Sequence, residues 1–363
     1  MKITIVFGAF FPVPPTMGGA IEKIWYDLGR EFARRGHEVV MISRKIDNLP
    51  REEMREGVQH IRVRGFNSPG SLALLKLFDL IYSLRVLCVL PRSDVTITHT
   101  FWLPIFRGGL DVHVGRYPKG QMRFYASARR FQAPSRAIGD AIGKEAPHLA
   151  SKVAVIAYPA PRSTSSSPPP PLSERAKIIL YVGRVHPEKG VHLLVEAFAS
   201  ARTVFADWRL MIVGPAEEKF GGGGAAYLES LKAKASERVA FTGAIFDPAE
   251  LERTFQAARL FVYPSLAERG ESFGFAPLEA MAHGCTVMVS KLDCFSDFIR
   301  DNETGFVFDH HVANALPDRL ANVVVDLAEM SRVADAGYAK SREYSVEHIA
   351  DQYLNDFQSL AHA

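Results

Sequence analysis

Two glutamates eight positions apart enclose the part of this sequence whose side chains could do chemistry. Glu271 is followed by Ser-Phe-Gly-Phe-Ala-Pro-Leu and then Glu279, and an apolar run continues to Gly284. The pattern predicts a helix starting near Pro277, with both carboxylates close to its N-terminus. Carboxylates accept hydrogen bonds from hydroxyl groups, and a helix N-terminus favours phosphate. The alternative is a solvated helix cap with no ligand.

A second segment carries two cations in a loop. Residues 178–182 predict a buried strand, and residues 191–202 predict a helix with apolar residues at helical spacing. The loop between them runs from Gly183 to Gly190 and contains Arg184 and Lys189. These cations could bind a diphosphate, with Arg as a planar fork and Lys as a point charge. The alternative is that both are ordinary surface residues.

Together these segments resemble the retaining glycosyltransferases of family 4. The other matching pieces are Gly18-Gly19 with Glu22, Gly243 and Tyr263-Pro264-Ser265, and all follow the family's order from residue 1 to about residue 355. The resemblance implies an α/β chain of the GT-B fold, in which two Rossmann-like domains with doubly wound parallel sheets face each other across a cleft. It also implies transfer of a hexose from a nucleotide diphosphate sugar to a hydroxyl group, with retention of configuration.

The resemblance further implies roles for individual residues. The residues expected at the donor diphosphate are Arg184, Lys189 and Gly19. The expected contacts of the ribose and the nucleobase are Glu279 and Ile245, respectively. The residues expected at the donor sugar, in part through their backbone, are Ser272, Phe273 and Gly274. The expected catalytic residues are Glu271 and His113, and His99 is the alternative to His113.

The chain lacks an Asp-x-Asp motif, and it departs from the family pattern at three places. Without that motif we expect neither a metal nor a cofactor, because the protein's own cations can stabilise the charge on the leaving diphosphate. Gly214-Pro215 stands where the family often has a Gly-x-Gly turn, and the run Gly221–Gly224 follows it. Residues 158–160, Tyr-Pro-Ala, replace the family's usual Asn. The change at Gly214-Pro215 could reshape one wall of the donor site. Cys285-Thr286 stands where the family usually has a small residue and then Pro, which is a change in packing.

A basic and aromatic loop after His113 could contact the acceptor. Arginine binds anions, and tyrosine rings stack on sugar faces. The candidate acceptor residues are Arg116, Tyr117, Lys119 and Arg123. The alternative is an ordinary surface loop.

The order of predicted elements divides the chain into two α/β domains. Strands and helices alternate before and after a Ser/Pro-rich segment, which predicts two parallel sheets. We predict an N-terminal acceptor domain over residues 1–162, a linker over 163–172 and a C-terminal donor domain over 173–343. By the resemblance, a last helix over about 344–363 packs back on the N-terminal domain.

Composition limits the possible partners. The net charge of the 363-residue chain is only +3, which argues against nucleic acid. Residues 1–160 carry a net +10 and the remainder −7, so the halves are suited to different partners. Three sparse cysteines and a first strand that begins at the N-terminus predict reduced thiols, no signal peptide and a cytoplasmic location.

The apolar segment from Leu72 to Leu90 is the one candidate for membrane contact. It includes Lys76, Asp79 and Arg85, which a spanning helix rarely tolerates. Two interpretations stay open, a helix packed on the sheet and an interfacial helix that makes peripheral contact with a membrane.

The family's common roles suggest biosynthesis of a cell-surface polysaccharide or glycolipid, with a saccharide, glycolipid or other hydroxyl compound as acceptor. The alternative functions are a nucleotide-sugar epimerase or a phosphorylase on the same fold, and a catalytically silent sugar-nucleotide-binding subunit. The intact set of Arg184, Lys189, Glu271 and Glu279 argues against the silent subunit.

Overall fold

The computed structural model describes residues 1–17, 19–163, 167–200 and 203–361. Gly18 of the predicted glycine pair, residues 164–166 of the predicted linker and residues 201–202 of a predicted helix lie outside this range. The chain forms two compact units, one made of residues 1–159 with 346–363 and the other of residues 160–345.

The first unit contains a mainly parallel sheet with the strand order β3-β4-β2-β1-β5-β6-β7-β8. Only β3 runs antiparallel to its neighbour. Its strands are β1 (Lys2–Val6), β2 (Glu38–Lys45), β3 (Glu52–Arg55), β4 (Val58–Arg64), β5 (Val95–Thr98), β6 (Asp111–His113), β7 (Arg130–Ala133) and β8 (Val153–Val155). Its helices are α1 (Ala20–Arg34), α2 (Leu72–Leu87), α3 (Leu103–Phe106), α4 (Arg136–Glu145) and α11 (Val346–Ala361).

Helix α11 packs against the apolar face of helix α1. Trp25 and Phe32 lie two turns apart on α1 and are fully buried. Tyr353 and Phe357 of α11 pack on them, with ring centroids 4.9 Å apart for Trp25–Tyr353 and 6.0 Å apart for Phe32–Phe357. The C-terminal helix is therefore part of the first unit's core.

Helix α2 exposes part of its apolar surface. Leu72, Leu74, Leu77 and Leu84 are between 43% and 70% exposed. Leu74, Leu77 and Leu84 are spaced by three and seven residues, which places them on one helix face. Within the described residues, every helix is too short or too polar to span a bilayer.

The second unit contains a fully parallel sheet with the strand order β11-β10-β9-β12-β13-β14. Its strands are β9 (Ala176–Val182), β10 (Arg209–Val213), β11 (Val239–Gly243), β12 (Ala258–Tyr263), β13 (Thr286–Ser290) and β14 (Phe306–Phe308). Its helices are α5 (Val191–Ser200), α6 (Gly224–Lys234), α7 (Pro248–Ala257), α8 (Phe275–Ala282), α9 (Ala315–Val324) and α10 (Leu327–Ser341).

The first unit ends at residue 159 and resumes at residue 346, whereas the sequence predicts domains over residues 1–162 and 173–343. The described part of the Ser/Pro segment belongs to the second unit, whereas the sequence analysis assigned it to a separate linker. Arg175 donates hydrogen bonds of 3.0 and 2.9 Å to the carbonyl oxygen of Pro170, and Leu172 is buried. Residues 170–172 are thus held on the second unit by one backbone carbonyl and one apolar side chain, contacts that composition does not reveal.

Among the parallel strands of each sheet the chain order reverses at one point, and ligands of open α/β sheets bind beyond the carboxyl ends of the strands at such a point. In the first unit the reversal lies between β1 and β5, and in the second unit it lies between β9 and β12. The loops that follow these strands are therefore where a ligand is expected to bind.

Candidate active site

The loops after β9 and β12 are locked together by close backbone contact. Gly190 has φ +67°, and a Cβ at this position would lie 1.9 Å from the carbonyl oxygen of Pro264. The backbone N–H of Leu266 donates a 2.8 Å hydrogen bond to the carbonyl oxygen of Glu188. Glycine is thus required at position 190 both for its left-handed conformation and for this approach. The two predicted motifs are consequently held side by side.

This contact brings Lys189 and Glu271 together as an ion pair. The Lys189 ammonium donates a 2.6 Å hydrogen bond to the Glu271 carboxylate, and the side chains are only 8% and 12% exposed. The Tyr263 hydroxyl donates to the same carboxylate at 3.1 Å, and the Ser265 hydroxyl lies 3.4 Å from it. Burial, with Glu271 nearby, raises the pKa of Tyr263 well above its ordinary value, so that its hydroxyl keeps its proton.

Arg184 projects from the same loop but is more exposed. Its guanidinium donates hydrogen bonds to the Glu188 carboxylate at 2.7 Å and to the carbonyl oxygen of Gly221 at 2.6 Å. The glycine run that departs from the family pattern therefore contacts Arg184, the side chain expected to bind the donor diphosphate. An incoming anion would compete with Glu188 for this guanidinium.

A cavity of about 270 Å³ lies against the ends of β10 and β11. Gly214 and Gly243 line it together with Val185 and Lys232. A Cβ at position 214 would lie 1.8 Å from the carbonyl oxygen of Gly183, so this wall is made of closely packed backbone. Ile245 is half-buried two residues after Gly243, and the next residue, Phe246, is 78% exposed.

Helix α8 places Glu279 one turn from the helix start. The helix begins at Phe275, two residues before the expected start, and Gly274 precedes it with φ +92°. Gly274 has no room for a side chain, because a Cβ would lie 2.4 Å from the ring of Phe295. Glu279 is 8% exposed, Ser272 is half-buried, and Phe273 is buried with its ring centroid 5.4 Å from that of Phe298.

In the first unit, the ends of β5 and β6 bring the two candidate histidines together. The ring centroids of His99 and His113 are 4.9 Å apart, and the indole of Trp25 contacts both. Nε2 of His113 shares a 2.8 Å hydrogen bond with the Tyr158 hydroxyl. Among the described residues, Nε2 of His99 and Nδ1 of His113 have no hydrogen-bond partner.

Both imidazoles are neutral at physiological pH. Burial lowers the pKa of His113 to about 3, and burial together with His113 lowers the pKa of His99 well below its ordinary value. A neutral imidazole can donate a hydrogen bond to a sugar hydroxyl or accept one from it. With so low a pKa it is too weak a base to remove a proton by itself.

A cavity of about 480 Å³ opens beside these histidines. Its lining includes His99, His113, Gly19, Glu22 and Arg116. Glu22 is buried, and this burial raises the pKa of its carboxyl. The cavity therefore presents hydrogen-bonding groups of both kinds, as a hydroxylated ligand requires.

The remaining acceptor candidates lie in different surroundings. Tyr117 packs against the apolar core of the unit. Lys119 and Arg123 are exposed, and the Arg123 guanidinium lies 4.8 Å from the ring centroid of Phe124. Among the four predicted acceptor residues, only Arg116 lines the cavity as described.

Two residues of this site were not predicted from the sequence. Trp25 and Tyr158 contact His113, yet Trp25 reads as an apolar helix position and Tyr158 was noted only as a departure from the family pattern. No spacing signal links residues 25, 113 and 158, so the sheet and helix packing had to bring them together.

Comparisons with known proteins agree with this architecture. Residues 163–340 match the model of the family described as "Glycosyl transferases group 1". A phosphatidyl-myo-inositol mannosyltransferase of Mycobacterium leprae is 28% identical over 83% of this chain and 77% of its own length. A lipopolysaccharide 1,2-N-acetylglucosaminetransferase of Salmonella typhimurium is 31% identical, over 50% of this chain and 48% of its own length, so the match spans about half of that relative.

Two solved structures are similar over nearly the whole chain. Sucrose-phosphate synthase from Thermosynechococcus elongatus has a TM-score of 0.79 and 20% identity, over 99% of this chain and 98% of that one. Anabaena Alr3699/HepE, solved with UDP and glucose, has a TM-score of 0.71 and 18% identity, over 99% of this chain and 100% of that one. These likenesses concern the fold.

Proposed function

We propose that this chain, which has the GT-B fold predicted from its sequence and whose residues 163–340 match the glycosyl transferases of group 1, is a retaining, metal-independent hexosyltransferase. The donor is a nucleotide diphosphate sugar, and the acceptor hydroxyl belongs to a saccharide, a glycolipid or another hydroxyl compound of cell-surface polysaccharide or glycolipid biosynthesis. Relatives that act on phosphatidyl-myo-inositol and on lipopolysaccharide support this class of acceptor.

The observation that carries the proposal is the buried Lys189–Glu271 pair beside Arg184 at the carboxyl edge of a parallel sheet. When the bond between the sugar C1 and the phosphate oxygen breaks, negative charge grows on the leaving diphosphate. Arg184 and Lys189 supply positive charge there without a divalent cation. In the proposed reaction the acceptor oxygen bonds to C1, and its proton goes to the leaving phosphate oxygen.

In this proposal Glu271 also contacts the donor sugar. A diphosphate bound to Lys189 would weaken the ion pair and leave the Glu271 carboxylate available to a hydroxyl of the donor sugar. Tyr263 and Ser265 keep that carboxylate oriented through their hydroxyl groups. The backbone of Ser272–Gly274 next to α8 would contact the same sugar, and the positive end of the α8 dipole favours the diphosphate.

The other donor contacts follow from the resemblance. A carboxylate can accept hydrogen bonds from both hydroxyls of a ribose, which suits Glu279 on the first turns of α8. Ile245 is assigned to the nucleobase. Gly19 and His113 belong to the first unit, and their contacts with the diphosphate and with the donor sugar stay predictions.

Nucleotide-dependent thermal stabilisation tests the donor site. UDP, GDP, ADP and TDP would each be added to the purified protein in EDTA, and each midpoint compared with that of the nucleotide-free protein in the same buffer. A nucleotide at 100 times its Kd should add about 2.7 kcal/mol to the stability of the unit that binds it. We expect one diphosphate to raise the midpoint clearly in EDTA and Arg184→Ala to abolish the rise.

The matched control is Arg253→Ala, because Arg253 is an exposed arginine of the same unit, 4.0 Å from Asp247. This variant should keep the nucleotide response. No response to any diphosphate in the unmodified protein would contradict the donor site. A response that requires a divalent cation would contradict the metal-independent mechanism.

Turnover of the matching nucleotide sugar then separates this function from the alternatives. A transferase releases nucleoside diphosphate only with a hydroxyl acceptor, an epimerase-type enzyme releases it without any acceptor, and a phosphorylase requires inorganic phosphate. Binding without turnover in the presence of diverse glycolipid and saccharide acceptors would favour the silent subunit.

We also propose that the first unit makes peripheral contact with a membrane, at the cytoplasmic side, through α2. The exposed Leu74, Leu77 and Leu84 form an apolar face, and residues 1–160 carry a net +10 that would attract anionic lipid.

Sedimentation with phosphatidylglycerol vesicles should recover the protein, whereas phosphatidylcholine vesicles should recover little. The triple Leu→Ser variant should lose this binding and Val325→Ser, at a 73% exposed position of the second unit, should keep it. Equal binding by both variants would refute the assignment to α2.

A further inference from the structure

Glu268, His310 and His311 bring three potential metal ligands together in the second unit, away from the predicted motifs. Glu268 lies in the loop after β12, and the two histidines follow β14. One carboxylate oxygen of Glu268 is 2.9 Å from Nε2 of His311 and 3.6 Å from Nε2 of His310. The three ligand atoms lie within 4.8 Å of one another.

This spacing fits a tetrahedral ion. Zinc binds imidazole nitrogen and carboxylate oxygen at about 2.0–2.2 Å, so two ligands of a tetrahedral site are about 3.4 Å apart. The carboxylate-to-imidazole distances of 2.9 and 3.6 Å lie on either side of that value. Small side-chain adjustments would therefore bring all three ligand atoms onto one ion.

His310 supplies a second and independent indication. Its side chain is only 6% exposed, and Nδ1 has no hydrogen-bond partner among the described residues. Its Nε2 faces the Glu268 carboxylate at 3.6 Å, which is beyond hydrogen-bonding distance. Coordination through Nε2 would give this buried ring a strong partner on the side that faces Glu268.

We propose that Glu268, His310 and His311 bind one zinc-type divalent cation, with a fourth position for water. Two imidazoles and one carboxylate are a ligand set that zinc accepts. The backbone N–H of His311 donates a 3.0 Å hydrogen bond to the Asp309 side chain, which holds the turn that presents both rings. The sequence predicted no metal, because more than 40 positions separate Glu268 from these histidines and no local spacing links the three ligands.

A bound ion would also tie the loop after β12 to the end of β14. Glu268 precedes Glu271 by three residues in that loop, and Glu271 is the partner of Lys189. Occupancy should therefore reduce the mobility of the segment that carries the Lys189–Glu271 pair. This effect is a consequence of the site and does not depend on the proposed transfer reaction.

A metal titration of the full chain tests the proposal. Protein freed of metal with EDTA and then desalted would be titrated with zinc against a chromophoric chelator, and separately with cobalt. We expect one tight equivalent of zinc, and the intense visible absorption typical of four-coordinate cobalt. Loss of one outer-shell contact lowers metal affinity about 10–100-fold, so loss of a ligand in Glu268→Gln or His311→Ala should lower it at least about 100-fold.

His148→Ala is the matched control because His148 is an exposed histidine of the first unit. It should keep the tight equivalent and the cobalt spectrum. Thermal unfolding without metal should show that Glu268→Gln and His311→Ala are folded, since both positions are largely exposed. Absence of a tight equivalent in the unmodified protein, or an equivalent that survives in both ligand variants, would overturn the site and leave only a surface hydrogen bond between Glu268 and His311.

Discussion

Replacing Lys189 with methionine should destabilise the second unit by about 3 kcal/mol. At 2.6 Å, the gross attraction between the two charges is about 6 kcal/mol at an effective dielectric constant of about 20. Desolvation of both groups offsets much of it, and removal of one partner from a buried pair typically costs about 3–5 kcal/mol. The lower end applies because Tyr263 and Ser265 still solvate the Glu271 carboxylate.

The measurement must isolate the second unit, because a chain of two units need not unfold in one step. Fluorine NMR of protein labelled with fluorotryptophan gives a separate signal for each of the three tryptophans. Trp208 is buried in the second unit, whereas Trp25 and Trp102 belong to the first. Urea unfolding followed at Trp208 therefore reports the second unit alone.

A double-mutant cycle identifies the cause. Glu271→Gln combined with Lys189→Met removes both charges and keeps an amide that can accept from Tyr263, so the double variant should be more stable than the two single effects predict by about 2–3 kcal/mol. The matched control is the exposed pair Lys177–Asp207, 3.2 Å apart, where Lys177→Met should cost less than about 1 kcal/mol. A loss below about 1 kcal/mol for Lys189→Met, or additive effects in the cycle, would refute the reasoning.

Three further predictions concern backbone, protonation and hydrogen bonding. Gly190→Ala should lower the free energy of unfolding in urea by at least about 2 kcal/mol, because the left-handed backbone and the approach of Pro264 both oppose a Cβ. The control Gly36→Ala, at φ +85° with open space around it, should lower it by less. Equal losses of stability in the two variants would contradict the clash at position 190. Stability of the first unit should fall as pH drops from about 6.5 towards 3, because the folded state holds His113 neutral with a pKa of about 3 while the unfolded state binds the proton. Relative to the wild type, His113→Gln should flatten this dependence by up to about 1.4 kcal/mol per pH unit, and parallel curves for the two proteins would contradict the low pKa. Tyr158→Phe should cost the first unit about 1–3 kcal/mol by leaving Nε2 of His113 without its partner, which unfolding followed at Trp25 can measure; an unchanged stability would show that the bond is not needed.

The long elements of both sheets could be predicted from the sequence, because buried strands and amphipathic helices leave strong local patterns. The strand predicted over residues 178–182 lies within β9, and the last helix, predicted over about residues 344–363, is α11 (Val346–Ala361). Strand β3, at Glu52–Arg55, was missed because it is mostly exposed and charged, so it has no apolar alternation to reveal it.

The sequence also determined which cations and carboxylates are candidates for the donor site, since Arg184, Lys189, Glu271 and Glu279 lie within two local motifs. Only the tertiary structure showed that Lys189 and Glu271 form a pair. Their loops lie 82 positions apart and meet because β9 and β12 are neighbours in the sheet. The same reason explains Tyr158 at His113 and the Glu268–His310–His311 cluster: residue types are local properties of a chain, whereas their proximity is decided by strand order and by the packing of the loops beyond it.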